Sequence, residues 1–179
     1  MYHDSDEFDE EDFNDFQRES DKVYELPVMK KAMEIATLVR TICDLIDEEN
    51  EMLAYTKYEI LGFARTIGAK IAGAEGGDLY DIRMECATFI RRAAHDLYIS
   101  IHSLQMQGFE HTEYFLMVRK MIDEFRLLFI DWVAGFDKTN YIADRWGLFN
   151  PPGVSVPKDT DEYKDNWRPN FFEEEEEEE

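Results

Sequence analysis

Four histidines, His3, His95, His102 and His111, are the residues of this chain best suited to hold a metal or to move a proton near neutral pH. A metal site needs three or four ligands in a tight cluster. His95 and His102 are seven apart and can share one helix face, but no His-x-x-x-His pair occurs. Nor is there a Glu-x-x-His motif of the kind that builds di-iron sites in helical bundles. The expectation is no metal and no cofactor, with the histidines at a surface or interface.

Other chemistry fares similarly. Gly73-Ala74-Glu75-Gly76-Gly77 is glycine-rich, but a phosphate-cradling loop follows a strand and ends in Lys-Ser/Thr. This run follows a helical pattern and leads into Asp78, so it reads as an interhelical turn. Cys43 and Cys86 have no base nearby in sequence, and Ser100 and Ser103 lack a nucleophile-elbow motif. Glu48-Glu49 and Asp123-Glu124 read as solvated faces. No residue set predicts catalysis, and the chain is expected not to be an enzyme.

The basic residues form the one functional pattern. Lys57, Arg65 and Lys70 precede the glycine run, and Arg83, Arg91 and Arg92 follow it. Arginine clusters on a helical face can bind phosphate backbones. They can equally pair with the acids around them, or meet a protein partner.

These residues lie on four amphipathic segments. Val28, Ala32, Ile35, Val39, Ile42 and Ile46 recur in steps of three and four, as do Leu53, Ile60, Ala64, Ile67, Ile71 and Ala74. A third stripe runs through Leu79, Ile82, Cys86, Phe89, Ala93, Leu97, Ile101 and Leu104, and a fourth through Val118, Ile122, Phe125, Phe129, Trp132 and Phe136. Such spacing places apolar side chains on one helix face. Pro27 suits the first helical position, and Asn50 is an N-cap for the second helix. The glycine run ends that helix from about Gly73, Asp78 caps the third, Gly108 ends it, and the fourth runs from His111 or Thr112 to Gly135. Four such helices joined by short loops bury their faces against one another. The predicted fold is all-α, an up-down-up-down four-helix bundle over residues 27–136.

The flanks differ. The net charge is −22, of which residues 1–26 carry −9 and residues 137–179 carry −8, leaving −5 on the bundle. Residues 1–26 read as an acidic disordered tail with Phe8, Phe13 and Phe16 interleaved. Residues 137–179 read as an extended acidic tail, with one short helix through Tyr141–Trp146. In it Trp146, Phe149, Trp167, Phe171 and Phe172 are candidate anchors for a surface, and Glu173–Glu179 form a charged tip. Tails of this sign repel nucleic acid and anionic lipid. They suit a basic protein partner. Two cysteines in 179 residues make no disulfide framework. With no basic, apolar leader at Met1–Asp12 and no apolar run of about 20 residues, a cytoplasmic location is expected.

The order of features from Ala32 to Phe136 resembles the small bacterial four-helix bundle proteins first noted in intervening sequences of large-subunit ribosomal RNA genes. It is similar also to the retroelement accessory variability determinant proteins. The family's second helix carries a segment close to Ser-Ile-Pro-x-Asn-Ile-Ala-Glu-Gly. Here Thr66-Ile67-Gly68-Ala69-Lys70-Ile71-Ala72-Gly73-Ala74 occupies that place, with Ile67, Ile71 and Ala72 matching. Gln107-Gly108-Phe109-Glu110 looks like the family's Leu-Gly-Tyr junction, and Asp96-Leu97 falls where Glu-Leu-Glu is common. The resemblance implies a ring, often a homopentamer, without catalytic residues. In the retroelement branch the ring is basic and contacts reverse transcriptase and nucleic acid, whereas this chain is acidic.

The leading expectation is a non-enzymatic homo-oligomer that scaffolds a protein partner. Apolar residues off the stripes, Tyr55, Tyr58, Tyr98, Ile99, Met106, Met117 and Leu127, point to the oligomer. The alternative is an accessory subunit of a nucleic-acid enzyme such as a reverse transcriptase. Its contact patch would be Lys57, Arg65, Lys70, Arg83, Arg91 and Arg92.

Overall fold

The computed structural model describes residues 21–156, and every regular element among them is a helix. Residues 21–25 are helical and bend at Leu26 into α1, Pro27–Cys43. α2 is Glu51–Gly77, α3 is Tyr80–Met106 and α4 is Tyr114–Ala134. α1 packs on α2 and α4, α2 on α3, and α3 on α4, so the helix contacts close into a cycle. Among the described residues no helix is long and apolar enough to cross a membrane.

The apolar stripes fill the space inside that cycle. All six residues of the first stripe and all six of the second are buried. Ile35, Val39, Ile60, Ile67 and Ile71 are fully covered. On α3 the stripe turns differently from its expected register. Phe89 is 47% exposed under the Lys70 ammonium, which lies 4.7 Å from its ring centroid, and Ile90 is buried instead. A residue three after Cys86 lies at one margin of the face, while Ile90, four after it, points inward beside Ala87 and Ala94. On α4 Phe125 is buried, but Phe129 is only half-buried, packing on the core from its edge. Met29 and Phe115 lie off the stripes and are among the largest fully buried side chains. Of the off-stripe apolar residues, Tyr98 is half-buried, and Tyr55, Tyr58, Ile99, Met106, Met117 and Leu127 are exposed.

The helix ends follow local chemistry. Asn50 Oδ1 accepts hydrogen bonds from the Met52 and Leu53 amides at 3.1 and 3.3 Å, capping α2 as expected. The glycine run does not end that helix; α2 continues to Gly77. Glycine in a helix costs about 1 kcal/mol relative to alanine. Here Ala74 is fully buried and Glu75 is tied to α3 and α4, which holds the last turn in place. Asp78 does not cap α3. It is the C-cap residue of α2, with a left-handed φ of 44°, and Leu79 takes the N-cap position of α3 without a side-chain bond. The connection is only two residues long, so one of them must reverse the chain, and aspartate tolerates that backbone region better than most residues. Gly108, φ 83°, performs the same reversal after α3.

Residues 21–26 and 137–156 do not behave as solvated tails. Val23 and Leu26 pack on the core, and Phe136 is buried against Tyr80 and Ala87. The expected helix through Tyr141–Trp146 is absent, and a strap of turns stands in its place. The Asn140 carbonyl accepts from the Tyr80 amide at 2.8 Å, satisfying a donor that the start of α3 leaves open. Asn140 Nδ2 donates to the Asp78 carbonyl, and Asp81 Oδ1 accepts from the Ile142 amide, at 2.7 and 2.8 Å. The other tail residues, including Trp167, Phe171, Phe172 and Glu173–Glu179, lie outside the described residues.

The core arrangement predicts a sharp contrast within the aromatic set. Phe125→Ala should cost about 3–5 kcal/mol. Phe89→Ala should cost under about 1 kcal/mol, because only an exposed ring and one cation–π contact are lost. Urea denaturation of both variants checks the register; equal losses would contradict it.

Candidate docking surface

The six basic residues are engaged in different ways. Lys57 Nζ pairs with Glu48 Oε1 at 2.6 Å, and that hydrogen bond holds the ammonium pKa above its ordinary value. Arg65 is exposed and donates to the Leu61 carbonyl of its own helix. Lys70 covers Phe89. Arg92 Nε binds Asp96 Oδ2 at 2.7 Å.

Arg83 has the most structural role. Its Nε donates to the Ala74 carbonyl at 3.1 Å, its Nη2 lies 3.3 Å from Glu75 Oε2 and 3.1 Å from Asp78 Oδ1, and the guanidinium stands 5.3 Å from the Phe136 centroid. Glu75 Oε1 in turn accepts from the Trp132 indole at 2.8 Å. Arg83 thus ties α3 to the end of α2 and to Phe136 just before the strap, and Glu75 carries the link on to α4. It is a clasp at the end of the helices, with little of it open to a ligand.

Arg91 differs from the other five. It is exposed and has no hydrogen-bond or ion-pair partner among the described residues. It stands on the rim of a groove of about 240 Å³ between α3 and α4. Ala94, Tyr98, Ile122, Phe125 and Phe129 form the apolar floor, and Arg91, His95, Asp123 and Arg126 form the rim. Arg126 likewise has no partner among the described residues. Arg119, one turn away, stacks on Tyr98 with its guanidinium 4.8 Å from the ring centroid. It donates to the Tyr98 carbonyl and lies 3.3 Å from His102 Nε2. The groove arises because the α3–α4 seam is the least closely packed of the four, and Tyr98 and Phe129 fill it only in part.

The contribution of α4 was missed in sequence because Arg119 and Arg126 are separated from Arg91 by a loop and half a helix. Their seven-residue spacing was the available signal: it places both on one face, beside Ile122 and Phe129. A second hollow, wider and more open, runs along α1 past Tyr24, Met33 and Leu38. The Thr37 and Thr41 hydroxyls beside it bond to backbone carbonyls of their own helix.

The strap presents the tail anchors unequally. Phe149 is half-buried, whereas Trp146 is 87% exposed and docks on nothing in the described residues. Its loop is nevertheless braced. Asp144 carboxylate oxygens accept from the amides of Trp146, Leu148 and Phe149 at 2.7–3.0 Å, and the Asp144 amide donates to Asn150 Oδ1. These bonds, the Trp146 amide foremost, hold the Asp144 carboxyl below its ordinary pKa. Gly147, φ 71°, is required here, since an added Cβ would meet Val156 Cγ2 at 2.6 Å.

Both cysteines are free and buried. Burial pushes the Cys43 thiol up to about 12 and raises that of Cys86. Both therefore stay protonated and weakly nucleophilic near neutral pH. Among the described residues no three His, Cys, Asp or Glu side chains gather as metal ligands would. No family model, no curated protein and no solved structure matches this chain.

Two measurements probe these arrangements. Arg83→Ala leaves the mostly covered Glu75 carboxylate without its cation and should destabilise the protein by about 1–3 kcal/mol, against near-neutrality for the exposed Arg65→Ala; thermal denaturation of the two variants reads the difference. Because the folded Asp144 pKa is depressed, the stability it lends the strap is present above its unfolded pKa and is lost as pH falls through the folded one. Amide chemical shifts of Trp146, Leu148 and Phe149 should therefore titrate together below the usual aspartate range, and in Asp144→Asn they should not titrate there at all.

Proposed function

We propose that this chain is a non-enzymatic, cytoplasmic, up-down-up-down four-helix bundle that assembles into a closed homo-oligomer and scaffolds a protein partner. Kinship with the ring-forming bundle proteins of the ribosomal RNA intervening sequences is part of the same reading. Connections of two residues between α2 and α3 and seven at each other junction favour antiparallel neighbours.

The observation that carries the oligomer is the outward face of α4. Leu116 and Leu127 are each 58% exposed and Ile130 51%. Eleven residues are close to three turns, so Leu116 and Leu127 lie on one line, with the exposed Lys120 and Asp123 between them and Ile130 a turn further on. Met117, 54% exposed, flanks it. Large apolar side chains open to water on one helix mark an interaction surface, with Lys120 and Asp123 as its polar part, and for copies of one chain the common solution is closed symmetry. The basic residues favour a scaffold over a nucleic-acid accessory subunit, because Lys57, Arg83 and Arg92 are engaged with carboxylates.

Light scattering at micromolar concentration should give a mass several times 21.2 kDa. Leu127→Glu with Ile130→Glu should reduce it to a single chain while the circular dichroism stays helical. A monomeric wild type overturns the reading. Filter binding at physiological salt should find no affinity for single-stranded or duplex nucleic acid beyond the non-specific range of about 10⁻⁴–10⁻⁶ M. Tighter, steeply salt-dependent binding would instead favour the accessory-subunit reading.

A further inference from the structure

The α3–α4 groove joins two properties that this acidic chain otherwise keeps apart. Its floor is apolar and aromatic, and its rim carries two arginines without partners among the described residues, Arg91 and Arg126, against one acid, Asp123. A ligand for it must bring apolar bulk and negative charge side by side. The sequence contains one stretch that places them in direct succession: Trp167, then Phe171-Phe172, then seven glutamates, Glu173–Glu179.

We propose that the α3–α4 groove is the docking site of the chain's own segment Trp167–Glu179. Phe171 and Phe172 lie on the floor, and the glutamates that follow pair with Arg91 and Arg126. The inference does not rest on the oligomeric reading.

Charge selects the occupant. A groove with a positive rim on a molecule of net charge −22 attracts the chain's own anionic segment before any external one, because tethering makes the encounter intramolecular. Reach allows it. The strap is fastened to Asp81, and Arg91 lies ten residues further along α3, about 15 Å at 1.5 Å per residue. Fourteen residues lie between Val156, at the strap's far end, and Phe171, and a chain of that length spans up to about 50 Å. The aromatic chemistry fits as well. A phenylalanine entering beside Phe125, Phe129 and Tyr98 finds ring partners, worth more than area burial alone. The acidic start of the chain is the competing occupant. There the acids are interspersed among Phe8, Phe13 and Phe16, so no apolar pair is followed by an unbroken anionic run as Phe171-Phe172 is.

The test uses the full chain carrying the photo-crosslinker p-benzoylphenylalanine in place of Phe171, irradiated and mapped by mass spectrometry. The expected attachment is to residues 91–98 or 122–129 of the same chain. The yield should fall roughly tenfold with Arg91→Glu plus Arg126→Glu, and should fall in 1 M salt, where exposed ion pairs are screened. Both arginines are exposed, so circular dichroism should show the variant folded; Arg91→Gln plus Arg126→Gln supplies a milder second case. Attachment elsewhere, no attachment, or a yield indifferent to both charge variants overturns the proposal. So does an equal mixture of isotopically light and heavy chains in which the joined peptides come from different copies. A crosslinker at Phe13 that labels the groove more strongly than the one at Phe171 assigns it to the other end of the chain and equally overturns the proposal.

Discussion

A helix cannot cover its own apolar face, and α2 carries one that must be covered along its whole length. Ile60, Ile67 and Ile71 have no exposed surface at all. Each buried aliphatic side chain of this size contributes about 1.5–3 kcal/mol relative to exposure, so the arrangement is held by whatever keeps α1 and α3 against that face. On one side it is α1, whose own stripe is buried throughout. On the other it is the two-residue turn Asp78-Leu79, which returns the chain at once and lays one 27-residue helix beside another. The clasp of Arg83 on Glu75, Asp78 and the Ala74 carbonyl lies at that turn, and Trp132 joins it from α4.

The polar groups caught in this packing are provided for. Thr56 and Gln107 exchange hydrogen bonds across the α2–α3 seam at 2.9–3.0 Å, and Ser100 donates to the Leu97 carbonyl at 2.7 Å. No buried side-chain nitrogen or oxygen among the described residues lacks a partner. An unpaired polar group in such surroundings would cost about 1–3 kcal/mol. The interior is thus consistent with itself, and groups open to contact lie outside: the exposed Leu116, Leu127 and Ile130 of α4, the exposed Trp146 on a braced loop, and the α3–α4 groove arginines, which have no partner among the described residues. Exposed groups of this kind are what a binding surface offers. This is the physical ground for reading it as a scaffold.

Much of the fold was legible in the sequence because helical periodicity is a local property. Steps of three and four identify the buried face wherever the helix is regular, and every residue of the first two stripes is buried. Asn50 was recognisable as a cap because its oxygen meets amides only two and three residues on. The failures were equally physical. The glycine run looked like a helix end because propensity is summed locally, yet contacts of Ala74 and Glu75 with distant residues extend the helix through it. Phe89 fits the steps of three and four between Cys86 and Ala93, but the face passes through Ile90, and a lysine covers the ring.

The sequence by itself determined the helical class, the faces to be buried and the division of charge along the chain. All of these are written in residue type and short-range spacing. The tertiary structure decided which charges are engaged and which are open. Arg92 meets Asp96 four residues on along its own helix, a pairing local spacing already allows, whereas Lys57 and Arg83 meet Glu48 and Glu75 across turns. Arg91 instead faces Arg126, thirty-five residues away in the chain, across a seam that exists only once α3 and α4 are packed. Whether a cation finds a partner on another element depends on distances between elements, and no pattern of neighbours along the chain encodes those distances.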